Sequence, residues 1–383
     1  IEHTLLQEGR WTAGIGGRVL AVADTQLRFL LTQLDRPEEW KVTVDRVLVN
    51  RINEGLAQAL WVLESYRDLV DSGKATFPKV TGDTFVKGAG REFLKFSHEF
   101  SSIFTQGGWS DYVKSAIRTK AESLAARYTE LKIEKTAGQL ETELQKKHQE
   151  RYGREWDEYL KGVQVLPFQH LEDAARKLRI LSDPDQSPLI ELFRGVWESQ
   201  RLKTGDVELP PVADLKPLKE ALKALYEFQQ SVDEFVSTTQ ANSRVTGSVK
   251  EGKLQAQLLD PFKKAGRGLD TAVRSAPPNL QDRLRGILYQ LIDATRAALA
   301  SEAQREADDL WARSIHQMWK DQLQGKYPFD ETAAAGAPLP AVAALFNPKS
   351  GLFWTTVADL KALNALNLEG KPLVSFSPEF LTA

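Results

Sequence analysis

The sequence predicts a mainly α-helical protein, an elongated multi-helix bundle of two or more helical subdomains with minor β structure near the C-terminus. Apolar residues recur at three- and four-residue steps, which places them on one face of a helix. Good helix formers such as Ala, Leu, Glu and Lys fill the positions between them. Each apolar face must pack against another helix, so we expect bundle packing. The clearest stripes are Leu56, Leu60, Leu63, Tyr66 and Val70; Leu218, Leu222, Leu225, Val232 and Phe235; and Leu284, Ile287, Leu288, Leu291 and Leu299.

The chain has 383 residues, which is more than most single hydrophobic cores support, so we expect division into subdomains. From Thr332 the sequence changes character and becomes rich in small residues and Pro. The expected parts are an N-terminal helical subdomain (1–135), a central helical region (136–205), a second helical bundle (206–330) and a segment of irregular structure and short helices (331–383).

Helical spacing and capping signals together predict the positions of the individual helices. Ser187 is suited to cap a helix that begins at Pro188, where the missing N–H has no cost. Asn279 is expected to cap a helix that begins at Leu280. The predicted helices are 12–35, 39–72, 88–105, 109–132, 135–162, 169–182, 188–203, 213–242, 254–274, 279–300, 302–324, 339–346 and 352–363.

Turn-forming residues mark three loops between these helices. Residues 73–87 combine Gly, Pro and Asp with β-branched residues, which is typical of a loop that holds a short strand pair. Residues 204–212 separate two helical blocks, and residues 243–253 are expected to form a short hairpin. Near the C-terminus, Val374 and Phe376 alternate with serines, which predicts the start of a strand.

Composition excludes several classes of protein. Lys and Arg number 50 against 52 Asp and Glu, for a net charge of −2, so there is no basic excess for nucleic-acid binding. The absence of Cys excludes disulfides and thiolate chemistry. No apolar run approaches the roughly 20 residues of a membrane span, and the N-terminus lacks a signal-peptide pattern. Because it also lacks an initiator Met, we expect a piece of a longer protein.

No motif predicts a catalytic, cofactor or metal site. The histidines (His3, His98, His148, His170 and His316) do not occur in HExxH or in any two-His spacing on one helix face. The glycines form neither a dinucleotide fingerprint nor a phosphate loop, and no serine lies in GxSxG. The nine tryptophans are spread along the chain, a distribution that favours core and helix-interface anchors over a binding platform.

A series of short elements occurs in an order that resembles the periplasmic portion of the IcmF/TssM family, the large inner-membrane subunit of bacterial type VI secretion systems. The resemblance covers roughly residues 100–383 and is less clear over 1–99. Lys326 stands where the family has Arg. The elements are FTQGGW at 104–109, Tyr152-x-x-x-Trp156-x-x-x-Leu160, LPF at 166–168, LSDPDQSPL at 181–189, GKYPF at 325–329, LFNPKSGL at 345–352 and FSPEFL at 376–381.

The resemblance implies structural signature residues rather than catalytic ones. In each element, the residue types are those that end a helix or pack at a turn; for example, Pro328 disfavours helix at Tyr327, and we expect both neighbouring aromatic side chains to be buried there. The signature residues are Thr105, Gly108, Tyr152, Trp156, Pro167, Phe168, Ser187, Pro188, Tyr327, Pro328, Phe329 and Gly351.

The family's function implies what this chain does. It would be a structural, non-enzymatic segment in the periplasm, part of an inner-membrane protein whose membrane anchor and NTPase-like domain lie before residue 1 and whose β domain lies mostly after residue 383. Expected partners are the outer-membrane lipoprotein, the second inner-membrane subunit and other copies of the chain. No cofactor is expected. The alternatives left open are a cytosolic helical adaptor and an all-helical enzyme without a linear motif.

Overall fold

The computed structural model describes residues 61–130, 133–200, 215–241, 243–368 and 371–376. The chain separates into two compact units, Ile1–Leu63 and Glu64–Ala383, and the fold below is that of the second unit. The predicted helix 12–35, most of the predicted helix 39–72 and the predicted loop 204–212 lie outside the described residues. The finer subdomain boundaries at 135, 205 and 330 stay predictions.

Helices dominate the described part of the chain, as the sequence predicts. Shorter helical turns are Arg91–Phe93, Ser102–Phe104 and Gln106–Gly108, with wider π-type turns at Trp109–Val113, Gln255–Leu259, Ala312–His316 and Trp319–Leu323. The main helices are α1 Val62–Thr76, α2 Gly82–Phe85, α3 Lys114–Glu130, α4 Ala137–Lys161, α5 Leu171–Leu181, α6 Pro188–Gln200, α7 Lys216–Thr238, α8 Arg244–Lys250, α9 Asp260–Ser275, α10 Pro278–Trp311, α11 Leu339–Phe346 and α12 Leu352–Ala365.

Three short antiparallel strand pairs occur among the described residues, and two of them join segments that are distant in sequence. Strand β1 pairs with β3 through Val80 and Phe100, β2 pairs with β4 through Leu94 and Val165, and β5 pairs with β6. The strands are β1 Lys79–Val80, β2 Leu94–Phe96, β3 Phe100–Ser101, β4 Val163–Val165, β5 Asn367–Leu368 and β6 Lys371–Pro372.

The prediction of a helix over 88–105 is wrong, because this segment holds β2, β3 and two short helical turns. Gly90 has φ +93, a left-handed conformation that interrupts a right-handed helix. Leu94 is buried and Lys95 is exposed, the alternation of a strand. The strand pair expected within 73–87 is also wrong in its pairing, since β1 lies there and its partner β3 does not.

Helix α10, of 34 residues, is the central element of the second unit. It contacts α4, β4, α5, α8, α9 and α12, while α7 packs against both α5 and α9. The apolar stripes predicted along α7 and α10 are buried throughout, which confirms their assignment to the core. In the first stripe Tyr66 and Val70 are buried, but Leu63 is 38% exposed.

Several predicted boundaries in the second half of the chain are wrong. Helices 279–300 and 302–324 form one helix, α10, which continues through π-type turns to Leu323. It begins at Pro278, so Asn279 lies inside its first turn and is not the N-cap. The segment 243–253 forms α8 rather than a hairpin. Residues 373–376 are not a strand, and β5 and β6 precede them.

Long-range hydrogen bonds explain why α8 forms where the local pattern is weak. The carboxylate of Glu306, on α10, accepts from the backbone N–H groups of Val245 and Thr246 at 3.1 and 2.8 Å. These are first-turn N–H groups that lack partners within the helix. The side chain that caps α8 therefore comes from a residue about sixty positions away, which local sequence reading does not detect.

Among the described residues, no helix is both long enough and apolar enough to cross a bilayer.

Candidate functional site

The most distinctive feature of the second unit is a cluster of buried rings around α4, here called the aromatic junction. Helix α4 contributes a ladder at four- and three-residue spacing, so the side chains share one face. They meet rings from the segment between β1 and α3, in contacts such as Phe100 edge-on to Trp156 with centroids 4.8 Å apart. The aromatic junction consists of His148, Tyr152, Trp156 and Tyr159 from α4 with Phe85, Phe100, Phe104 and Trp109.

Two of the predicted signature elements meet directly in this junction. The indole Nε1 of Trp156 donates a hydrogen bond to the backbone oxygen of Phe104 at 2.7 Å, and Trp156 is 1% exposed. A Cβ on Gly108 would lie 2.2 Å from the oxygen of Ser102, so no side chain fits there. The hydroxyl of Thr105 caps this turn by accepting from the N–H of Gly108 at 3.2 Å.

The tyrosines of the junction connect α4 to further elements through their hydroxyl groups. Tyr152 donates to the oxygen of Ser199 on α6 at 3.4 Å, and Tyr159 donates to the oxygen of Thr81 at 3.0 Å. Burial raises the pKa of both phenols well above the usual range. They therefore stay neutral donors, which is the form that these hydrogen bonds need.

His148 lies inside the aromatic junction rather than on the surface. It is 1% exposed, stacks on Phe104 with centroids 5.4 Å apart, and its Nδ1 lies 3.3 Å from the hydroxyl of Tyr66. Burial, with a smaller contribution from the charge of Arg151, lowers the pKa of His148 to about 3. The imidazole is therefore neutral at physiological pH.

The turn between α5 and α6 contains the predicted Ser187 cap. Ser187 is fully buried; its hydroxyl donates to the oxygen of Leu181 at 2.6 Å and accepts from the N–H of Leu189 at 3.1 Å. One side chain thus joins the end of α5 to the start of α6, whose first residue is Pro188. The cap at Ser187 is confirmed. Asp183 shapes the turn by accepting from two backbone N–H groups.

Pro167 and Phe168 lie in the turn before α5, next to an ion pair that is largely shielded from water. Pro167 is exposed and Phe168 is buried. The ammonium of Lys177 lies 2.7 Å from the carboxylate of Asp173 and 5.4 Å from the ring centre of Phe168. Burial opposes ionisation of Asp173, but hydrogen bonds from Lys177 and Arg176 outweigh it and lower the pKa of Asp173 to about 2.

A second buried charge network, which the sequence does not indicate, joins α5, α8 and α10. The guanidinium of Arg244 is 3% exposed and lies 2.6 Å from both Glu172 and Glu302. Burial raises the pKa of Glu302, with partial compensation from Arg244. The three residues are separated by long stretches of sequence, so only the packing of the helices brings them together.

The C-terminal signature elements form a different kind of feature, here called the C-terminal aromatic surface. It lies over a small core of Ile315, Leu323, Ala341 and Leu345. Its rings contact one another in a chain, for example Trp319 edge-on to Phe329 at 4.8 Å. The C-terminal aromatic surface consists of Trp311, Trp319, Phe329, Phe346, Phe353 and Trp354.

Here the expectation of buried aromatic side chains is wrong. Tyr327 is 58% exposed and Phe329 is 37% exposed, and Pro328, which follows a cis peptide bond, is also exposed. Tyr327 is held through its backbone, by hydrogen bonds with Ala335 and Ala337, and these leave its ring at the surface. Gly351 closes the next turn, where a Cβ would lie 2.6 Å from backbone atoms of Asn347 and Leu345.

The tryptophans are buried in the aromatic junction and more exposed in the C-terminal aromatic surface. Trp109 and Trp156 are buried anchors, as predicted, whereas Trp354 is 47% exposed. Trp61, Trp197, Trp311 and Trp319 are partly buried. Trp11 and Trp40 lie outside the described residues.

A surface groove of about 860 Å³ runs between α7 and α9. Among its charged side chains, Lys264 lies 3.0 Å from Glu227, and the two side chains are 73% and 46% exposed. These are the properties of a solvated helix surface, and no sequence-predicted signature residue lines the groove.

The family comparison matches residues 6–201 to the model of a family described as "IcmF-related: Intracellular multiplication and human macrophage-killing". This segment is half of the chain. The chain belongs to the IcmF-related family. The matched segment contains the aromatic junction and the turn that holds Ser187, and it extends well before residue 100, where the sequence resemblance was less clear. The C-terminal aromatic surface lies outside it.

One curated relative of this IcmF-related chain is the "Type VI secretion system component TssM1" of Pseudomonas aeruginosa, at 22% identity. The match covers 62% of this chain and 26% of the relative, so the chain spans about a quarter of that protein's length. Among solved structures, a chain of a "Type VI secretion system membrane core complex" has a TM-score of 0.53 at 16% identity. That match covers 84% of this chain and 68% of the other, which shows a shared fold.

A second solved structure, described as "Type VI membrane complex", has a TM-score of 0.43 at 15% identity and covers 84% of this chain. This score is below the level at which a shared fold is inferred.

Proposed function

We propose that this chain is a periplasmic scaffold segment of a TssM-like protein, a structural component of the type VI secretion membrane complex. The observation that carries the proposal is membership of the IcmF-related family combined with similarity to a relative named as a type VI secretion component. The fold shared with a chain of a type VI membrane core complex supports it.

The chemistry of the described residues supports a mechanical role. The signature side chains Tyr152 and Trp156 are buried and use their polar atoms to bond neighbouring backbone segments. Charges such as Arg244 and Glu302 pair with each other between helices. Groups arranged in this way hold helices at fixed positions, which is what a strut in a large assembly requires.

The family resemblance supports the proposed location and partners. The segment lies in the periplasm, with the membrane anchor supplied by other parts of the whole protein. Its partners are an outer-membrane lipoprotein, the second inner-membrane subunit and other copies of the same chain. Together they form an envelope-spanning complex through which effectors are exported. In this proposal the segment itself carries out no catalysis.

The location is tested with a reporter inserted in the whole protein. The insertion point is the turn Glu331–Thr332, where both residues are exposed. Alkaline phosphatase folds and becomes active only in the periplasm, whereas green fluorescent protein exported in unfolded form stays dark. We expect phosphatase activity and no fluorescence. The opposite result would favour the cytosolic adaptor and overturn the periplasmic assignment.

The scaffold role is tested by photo-crosslinking in cells. A photoreactive amino acid replaces Tyr327 or Trp354, which are exposed, and a matched variant carries it at buried Trp109. We expect adducts of the exposed positions with subunits of the secretion complex, identified by mass spectrometry. Loss of the segment should abolish effector secretion. Secretion that persists without the segment, or adducts that contain no complex subunit, would contradict the proposal.

A further inference from the structure

Three potential metal ligands converge where the loop between β2 and β3 reaches the end of α4. The Nε2 atom of His98 lies 3.0 Å from Oε2 of Glu155 and 3.7 Å from Oε2 of Glu158. One nitrogen and two oxygens, one from each residue, all lie within 4.8 Å of one another. Glu155 and Glu158 are three positions apart on one helix, so their carboxylates project from the same face.

The spacing of these atoms is close to what a small cation needs. Zn²⁺ lies about 2.0–2.2 Å from imidazole nitrogen and carboxylate oxygen atoms. Tetrahedral angles then place two ligand atoms roughly 3.3–3.6 Å apart, and the separations of 3.0 and 3.7 Å lie on either side of that range. Glu158 is 61% exposed, so its carboxylate is free to adjust, while Glu155 is only 14% exposed.

Surrounding contacts already hold the imidazole in place. His98 stacks on Phe100 at an interplanar angle of 19°. The loop is fastened to the helix end because Ser97 donates to the oxygen of Gly162 from both its backbone N–H and its hydroxyl. A Cβ on Gly162 would lie 2.9 Å from the hydroxyl of Ser97, so glycine permits this close approach.

The charges nearby also favour a cation. Arg151 donates to Oε1 of Glu155 at 3.2 Å, which orients that carboxylate and leaves its Oε2 directed at His98. Among these side chains, the guanidinium of Arg151 pairs with one of the two carboxylates. Only Glu155 of the two carboxylates is largely shielded from water, and a buried carboxylate needs a cation or hydrogen-bond donors beside it.

We propose that His98, Glu155 and Glu158 form a binding site for one Zn²⁺ ion, with water completing the coordination. Zn²⁺ accepts both imidazole nitrogen and carboxylate oxygen ligands, whereas Mg²⁺ and Ca²⁺ prefer oxygen ligands alone. The ion would connect the β2–β3 loop to α4 beside the aromatic junction. Because metal binds only the folded arrangement, it would stabilise this junction. The inference does not depend on the proposed function.

The test is isothermal titration of ZnCl₂ into the tag-free 383-residue chain after removal of bound metal with EDTA. We expect one Zn²⁺ per chain, no comparable binding of MgCl₂, and a higher thermal unfolding midpoint with Zn²⁺. His98→Gln and Glu158→Gln should each weaken the affinity at least tenfold, since loss even of an outer-sphere partner typically costs about 10–100-fold.

His316→Gln is the matched control, because His316 is an exposed histidine on another helical segment and its loss should leave the affinity unchanged. Glu158 is exposed, so Glu158→Gln should fold normally, and circular dichroism checks this. Absence of zinc binding to the parent chain would overturn the inference. Binding that His98→Gln and Glu158→Gln leave intact would overturn it as well.

Discussion

The hydrogen bond from Trp156 to Phe104 allows a direct test of the aromatic junction, because the chain contains a second bond of the same type at its surface. Trp156 Nε1 donates to the oxygen of Phe104 at 2.7 Å in the buried junction. Trp354 Nε1 donates to the oxygen of Phe346 at 3.1 Å, at a side chain that is 47% exposed. Trp156→Phe and Trp354→Phe therefore remove the same chemical contact from two different environments.

The two changes should differ strongly in their effect on stability. In Trp156→Phe the oxygen of Phe104 loses its partner away from water, which costs about 1–3 kcal/mol. The smaller ring leaves a cavity of about 40 Å³, which adds ~1 kcal/mol at about 24 cal/mol per Å³. The free energy of unfolding should therefore fall by roughly 2–4 kcal/mol. In Trp354→Phe water replaces the lost donor, and the change should stay within about 0.5 kcal/mol.

The assay is urea unfolding followed by far-ultraviolet circular dichroism, with tryptophan fluorescence as a second probe of cooperativity. Both variants are compared with the parent chain at one pH and one salt concentration. If Trp156→Phe and Trp354→Phe shift the midpoint by the same amount, burial does not decide the contribution of this bond, and our account of the aromatic junction is wrong.

Two further predictions concern pH and helix packing. Because burial lowers the pKa of His148 to about 3, the unfolded chain takes up a proton below about pH 6.5 that the folded chain excludes, and the free energy of unfolding should fall by up to ~1.4 kcal/mol per pH unit. Urea titrations from pH 7 to 5 should show a steeper loss for the parent than for His148→Phe; equal slopes would refute this. A Cβ on Gly268 would lie 2.7 Å from Cβ of Ala224, so Gly268→Ala should destabilise the α7–α9 contact by about 1–3 kcal/mol. Gly286→Ala, where a Cβ meets nothing within 4 Å, should instead be neutral or stabilising by up to ~1 kcal/mol, and a loss of stability there as large as at Gly268 would contradict the packing argument.

The sequence predictions are accurate where the interactions join residues close together in the chain, and they fail where the interacting residues are far apart in sequence. The helices α4, α5, α7 and α11 lie close to their predicted positions, because helix spacing and capping are local properties. The Ser187 cap, which depends on residues only a few positions away, was also predictable. By contrast, β2 forms because β4 pairs with it, and no signal within residues 88–105 reveals that partner.

The same distinction between local and long-range contacts applies to the candidate sites. The four-residue spacing of Tyr152, Trp156 and Leu160 predicts one shared helix face, whereas the burial of His148 among these rings is decided by packing. The rings that complete the cluster, such as Phe85 and Phe100, come from separate turns and could not be assigned. The convergence of His98 with Glu155 was equally invisible, since 57 positions separate them.

Periodicity, capping residues and short ordered elements are local properties, so the helical class, the positions of many helices and the resemblance to the IcmF/TssM family are readable from the sequence. Which side chains remain exposed depends on how the helices pack. Trp156 is buried because α4 lies among several packed elements. Phe329, which contacts Trp319 and Phe346, and Trp354, which contacts Phe353, remain exposed at the surface. The residue types are alike in both places, and the number of neighbouring elements makes the difference.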